Sequence, residues 1–138
     1  MRKKLFFSLT AFSLAAALAM CMMGMGALYL AFQRDLKDGL VRQADTLAAL
    51  LSRQEDPVAF LSGGAYMNRV TLVDADGQVL YDSSHAASGM DNHQEREEIE
   101  RARQTGEAFS VRSSATVGEI SIYYARLLSS GQVLRLSG

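Results

Sequence analysis

The residues best placed to do chemistry lie in one run, "DNHQEREEIERA" at positions 91–102, which holds one histidine, two arginines and four glutamates. His93 and Glu97 are four apart and would share one face of a helix, a spacing that suits two ligands of a metal ion. The HExxH pattern is absent, and the other histidine, His85, falls in a loop-like stretch, so the remaining ligands are missing. General acid/base work by Glu95 with Glu97 or Glu98 would need a nucleophile beside it, and none accompanies the pair. Asp74 and Asp76 suggest the start of a calcium loop, but Gly77 is misplaced for one and no distal glutamate follows at the required position. Helix logic accounts for the run instead. Asn92 with Glu95 three positions on has the form of a capping box, and Ile99 and Ala102 supply an inward face. The glutamates are solvated, Arg101 and Arg103 occupy the last turns, and Gly106 fits a left-handed end. No catalytic residue and no metal site are expected.

The elements that carry this run begin with an apolar stretch, Leu5 to Phe32, which has no charged side chain and whose only ionisable groups are the thiol of Cys21 and the phenol of Tyr29. As a helix it would be roughly 42 Å long, more than the ~30 Å hydrocarbon core of a bilayer, so a transmembrane helix is expected. A signal peptide is the rival reading, with Arg2-Lys3-Lys4 as its positive region, but its apolar part would far exceed the usual ~7–15 residues. Met20 before Cys21 argues against lipidation. The three basic residues predict a cytoplasmic N-terminus at residues 1–4, leaving everything from Gln33 outside the cell membrane. That outer part holds 11 lysines and arginines against 15 acids, a net of −4 that excludes a nucleic-acid partner. It has no cysteine, hence no disulfide, and depends on its own packing.

Past the apolar stretch, residues 33–62 read as a long membrane-proximal helix followed by a short one. Leu36, Leu40, Leu47 and Leu50 form a heptad-like seam interrupted at Gln43, which fits either a parallel dimer helix or an amphipathic helix packed on its own domain. Asp56-Pro57 has the form of an N-cap and first helical residue. From Arg69 the period changes to that of strands. "RVTLVDADGQVLYDSS" reads as a hairpin around Asp76-Gly77, and three further strands are expected at Glu107–Ser113, Glu119–Leu128 and Gln132–Ser137. The fold class is α+β: a five-stranded antiparallel sheet over residues 65–138 with helices on it.

Three segments, "RVTLVDADGQVLYDS", "MDNHQEREEIERA" and "RSSATVGEISIYYARLLSSGQVLRLS", together resemble the extracytoplasmic sensor region of bacterial sensor histidine kinases of the phosphate-regulon (PhoR-like) type. The residues that carry the resemblance are Asp82-Ser83, Met90, Asn92, His93, Arg96, Glu98-Ile99, Arg112, Ser114, Thr116, Tyr124-Ala125 and the Val133–Ser137 run around Arg135. The resemblance implies a PAS-like sheet of the Cache or PDC kind and a role as the signal-input portion of a two-component kinase. Such a kinase would be a homodimer through its membrane and membrane-proximal helices, and would signal to a response regulator. In the family a second membrane helix, a dimerising hairpin with the phosphorylated histidine and an ATP- and magnesium-binding domain follow. None of these is in this chain, so no cofactor is expected here. Neither His85 nor His93 has the sequence context of a phosphoacceptor.

If the domain has a small-molecule pocket, the fold family puts it on the sheet's inner face, with Arg96, Arg112 and Tyr123 as candidate contacts to an anionic group. Their bland alternatives are an Arg96–Glu100 helix pair, a cross-strand pair for Arg112 and a core position for Tyr123. Three other classes of function are compatible with parts of this sequence: a stand-alone membrane-anchored interaction domain, a chemoreceptor input domain, and, from the charged run alone, a secreted metal-dependent hydrolase.

Overall fold

The computed structural model describes residues 2–113 and 120–138; Ser114, Thr116 and the start of the expected strand at Glu119 lie outside the described residues. The chain forms two compact units, residues 1–36 and 37–138.

Helix α1 runs from Arg2 to Leu51. No proline falls within it, so nothing removes a backbone donor along its length. An 18-residue window near its start has a mean hydropathy of 1.9 and is entirely exposed, which makes it a candidate membrane span by length and composition. Two of the hydroxyls there are satisfied within the helix. Thr10 Oγ1 donates to the carbonyls of Phe6 and Phe7, and Ser13 Oγ to that of Thr10, each at 3.0 Å. An apolar solvent demands this of any polar group it surrounds.

In the second unit, α1 buries Leu40, Ala44, Leu47 and Leu51, a stripe at spacings of four, three and four. The heptad seam is thereby corrected. Leu36 and Leu50 are 39% and 41% exposed, whereas Ala44 and Leu51, which the seam omitted, are buried. Leu40 and Leu47 are spent on the domain's own core. Gln43, the interruption in the seam, accepts a 2.7 Å hydrogen bond from Asn68 Nδ2. Helix α2, Pro57–Ser62, starts as the sequence indicates: Asp56 Oδ1 accepts from the Ala59 backbone N–H at 3.0 Å, and Pro57 occupies the first turn.

The sheet consists of β1 (Arg69–Val73), β2 (Val79–Asp82), β3 (Glu107–Ser113), β4 (Ile120–Leu127) and β5 (Val133–Ser137) in the order β2-β1-β5-β4-β3. Every pairing is antiparallel. The last strand closes the sheet by entering between β1 and β4. Strand periodicity gives the sheet two different faces. On one, Val70, Leu72, Ile122, Tyr124, Leu134 and Leu136 pack with Leu40, Ala44, Leu47 and Leu51 of α1 and Leu61 of α2. On the other, Val73, Ala108, Ala125 and Val133 lie under Ile99 and Ala102 of α3 (Glu97–Thr105).

Helix α3 starts later than the capping box implied. Its N-cap is Arg96, which makes no side-chain cap bond, and Asn92 is outside it. Asn92 Oδ1 accepts from the Gln94 backbone N–H at 2.7 Å, while Nδ2 donates to the Asp76 carbonyl at 2.9 Å, pinning the segment to the β1–β2 turn. Side-chain competition for backbone groups is the usual reason Asn prefers such turns to helix. Gly77, at φ +87°, makes this contact feasible, since a Cβ there would come within 2.4 Å of Asn92 Oδ1. Gly106, at φ +90°, ends α3 as expected.

The choice of buried stripe can be checked by unfolding the full chain in detergent with denaturant. Leu47→Ala is expected to cost about 2–5 kcal/mol through the cavity it leaves, and the exposed Leu50→Ala within about 0.5 kcal/mol.

Candidate functional site

Alternation on the α3 side of the sheet places polar residues at one end and apolar ones at the other. Thr71, Arg135 and Ala125 stand opposite one another on β1, β5 and β4, and one pleat further along come Arg69, Ser137 and Tyr123. Strand β3 adds Ser110 opposite Tyr123 and Arg112 opposite Ser121. Helix α3 covers the apolar end. The polar end is left as a cleft of about 540 Å³, bounded by Arg69, His93, Arg96, Arg112, Tyr123 and Arg135 together with residues of the 85–91 loop.

Two buried carboxylates set the shape of the cleft. Glu98, on the first turn of α3, has no solvent exposure and accepts from Arg135 Nε at 2.9 Å and from Arg112 Nη2 at 2.5 Å. It bridges the central strand β5 to the edge strand β3. The Tyr123 ring lies against both guanidinium groups, 4.4 Å from that of Arg135 and 4.9 Å from that of Arg112, distances that suit cation–π attraction. Asp82, at the end of β2, accepts from Arg69 Nε at 3.0 and 3.1 Å, from Thr71 Oγ1 at 2.7 Å, and from the Ser84 and His85 backbone N–H groups at 2.9 and 3.0 Å. Burial alone would raise its pKa, but the bonds from Thr71, Ser84 and Arg69 together hold it below the ordinary aspartate value.

The cationic groups are crowded. Burial lowers the pKa of Arg135, and nearby Arg112 and Arg69 act in the same direction against Glu98. The group stays charged, since an arginine begins so far above neutrality. His93 is 5% exposed; its backbone N–H donates to the Gly77 carbonyl, and Nδ1 lies 2.7 Å from the Asp91 carbonyl, which makes Nδ1 the protonated nitrogen. Burial lowers its pKa first, and Arg135, Arg96 and Arg69 reinforce the effect, so the ring is neutral at pH 7.

All three candidate contacts, Arg96, Arg112 and Tyr123, therefore line one cleft, together with the signature residues His93 and Arg135. Among the described residues Arg96 has no carboxylate partner; the helix pair that forms is Glu97–Arg101, at 3.3 Å, rather than Arg96–Glu100. Glu98 is not solvated as the helix reading assumed, because it is the buried counter-ion of two arginines. Tyr124 points to the other face, where it is fully buried and its hydroxyl donates to Glu107 Oε2 at 2.5 Å. Burial and that bond push its pKa up to about 12. Ser83 serves the strand end, its Oγ accepting from the Val70 N–H at 3.0 Å. Arg69 was not singled out from the sequence, and Arg135 was noted only as part of a motif. The available signal was a charged residue in the middle of the otherwise apolar "VLRLS" strand. Among the described residues no cluster of three or more His, Cys, Asp or Glu side chains could hold a metal ion.

No family model matches the sequence, and no curated protein matches it. Among solved structures, the chain is similar to the "extracellular domain of the putative histidine kinase rpHK1S-Z16", at 14% identity and a TM-score of 0.41 over 58% of this chain and 34% of that one. It is also similar to the Bacillus subtilis YkuI protein, with an EAL domain, in complex with c-di-GMP and calcium, at 14% identity and a TM-score of 0.45 over 73% of this chain and 30% of that one. The chain thus spans about a third of the length of either.

Two outcomes follow from the electrostatics. Glu98→Ala leaves Arg135 and Arg112 without their shared anion and is expected to cost about 3–5 kcal/mol, against under about 0.5 kcal/mol for the exposed Glu100→Ala, by denaturant unfolding of the full chain. The pH dependence has a definite sign. Since the fold depresses the His93 pKa, the unfolded chain binds more protons between the folded value and about 6.5. The melting temperature should therefore fall as pH drops through that window, and His93→Gln should flatten the slope. A second loss is expected below about pH 3.9, where Asp82 protonates.

Proposed function

We propose that the chain is the signal-input portion of a membrane-anchored receptor, of the kind that feeds a sensor histidine kinase of the PhoR-like type. The observation that supports this most is the two-sided use of β4 and β5. Ile122, Tyr124, Leu134 and Leu136 pack with the α1 stripe, and the residues between them, Tyr123 and Arg135, face the cleft. A change of the cleft is one sheet thickness from a helix whose earlier part is the candidate membrane span. Such coupling needs two conformations with different affinity for the stimulus, and the difference in binding free energy sets its limit.

In this reading Arg2, Lys3 and Lys4 remain cytoplasmic and the sheet domain is extracytoplasmic. The parent is a homodimer whose kinase core, with its ATP and magnesium, phosphorylates a response regulator. This chain contributes no catalytic step.

Two measurements on membranes test the proposal. With Cys21 replaced by serine, a cysteine at Ser129 should react with a membrane-impermeant thiol reagent in intact cells, and one at Lys3 should not. Residues 1–138 joined to the second membrane helix and kinase core of a receptor of this class should give a regulator-phosphorylation output that shifts when Leu47, on the helix side, or Tyr123, on the cleft side, is changed to alanine. Labelling of Lys3→Cys but not Ser129→Cys, or an output indifferent to both alanine variants, would refute it.

A further inference from the structure

The charges around the cleft do not cancel. Arg69 faces it from β1, Arg112 from β3, Arg135 from β5, and Arg96 and His93 from the segment that leads into α3. Against these four guanidinium groups stand two buried carboxylates, Asp82 on Arg69 and Glu98 shared by Arg112 and Arg135. The other two titratable groups near the rim are exposed: the Asp91 carboxylate, whose field is screened by water, and His85, 3.8 Å from Asp82 Oδ1. One positive charge is therefore left over at the Arg112–Arg135 pair and a second at Arg96.

The hydrogen bonding of Arg135 agrees with this. The residue is only 5% exposed, yet of its nitrogens only Nε has a partner among the described residues. Arg135 lines the cleft, so its two terminal nitrogens, without a partner among the described residues, are the groups there to meet a ligand. A buried guanidinium end without a partner is costly, and a planar acid group is the ligand that matches its fork.

We propose that the cleft is a binding site for a small organic molecule bearing two acidic groups, one held by the free ends of Arg135 and Arg112 and the other by Arg96. A volume of about 540 Å³ suits a compact metabolite-sized molecule. As the identity of the stimulus this rests on the receptor reading above; as a binding site it does not. His93 supplies a signature. Bringing negative charge beside it opposes the field of Arg135, Arg96 and Arg69, so its pKa is higher with ligand bound than without. Binding then takes up a proton. The His93 contribution to affinity is complete below the ligand-free pKa and is lost as pH rises through the ligand-bound one.

The test is calorimetric titration of the full chain in lipid nanodiscs, which measures binding whether or not any signal is relayed. The probes are succinate (two carboxylates), 3-phosphoglycerate (a carboxylate and a phosphate), and the single-acid controls acetate and inorganic phosphate. Saturable binding of succinate or 3-phosphoglycerate is expected, at least about tenfold tighter than either control and weakened about tenfold by Arg96→Gln. Because Arg96 has no carboxylate partner among the described residues, that variant should melt as the wild type does, whereas Arg112→Gln disturbs Glu98. Tighter binding at pH 6 than at pH 7.5, with proton uptake seen as a buffer-dependent heat, would support the His93 arm. No saturable binding below about 10 mM by the folded chain, single-acid probes binding as tightly as two-acid ones, or affinity unchanged by Arg96→Gln would overturn the proposal. Binding without any output from the receptor fusion would instead count against the receptor reading alone.

Discussion

A carboxylate with no access to water, Glu98, is held between two guanidinium groups from strands at the centre and the edge of the sheet. Removing such a charge from water costs several kcal/mol, and the cost is met only when the counter-ions are close and well directed. Glu98 therefore constrains three elements together. It fixes the start of α3, the side-chain direction of Arg135 on β5, and that of Arg112 on β3. The Tyr123 ring lies against both guanidinium groups and restricts them further. With these forks held in place, the sheet presents a preorganised cationic surface.

The alternation of the strands makes this compatible with a stable core. Along β5, Leu134 and Leu136 enter the cluster formed with α1 and α2, while Arg135 between them turns to the cleft. Along β4, Ile122 and Tyr124 do the same around Tyr123. The apolar side secures the domain through burial of large side chains. The opposite side is divided, with Ile99 and Ala102 sealing one end and leaving the arginines uncovered at the other. A short helix on a wide sheet leaves such a remainder, and ligand sites in α+β domains commonly occupy it.

Several motif residues owe their presence to geometry rather than chemistry. Asn92 and the backbone of His93 tie the segment before α3 to the turn of the β1–β2 hairpin, where Gly77 leaves room for them. Asp82 and Ser83 finish β2 by capping the following loop and pairing with Val70, and Asp82 also orients Arg69. Tyr124 bonds Glu107 on the face away from the cleft. Such residues hold the cleft walls in register, a requirement for any site that recognises charge by direction.

Residues 69–82, 107–113 and 120–137 announced their strands through period-two alternation, and Gly77 and Gly106 announced a turn and a helix end, because these are local properties of the backbone. The apolar stretch and the Asp56-Pro57 start of α2 were legible for the same reason. The capping box at Asn92 was not, since its side-chain oxygen accepts from the Gln94 N–H in a turn while Nδ2 is tied to the Asp76 carbonyl, distant in sequence. The seam on α1 was misjudged because Ala44 and Leu51 are as well suited to a sheet surface as Leu36 and Leu50 are to a partner helix, and composition does not say which surface is present. Arg96, Arg112 and Tyr123 were selected by residue type, but their meeting with Arg69 and Arg135 depends on strand order β2-β1-β5-β4-β3, which brings the last strand to the centre. By itself the sequence determined the elements and the membrane-length helix, both of which follow from neighbours along the chain. The fate of each charge was decided only by tertiary structure. Whether a glutamate is solvated or buried, and whether an arginine is paired or free, depends on which strands lie side by side.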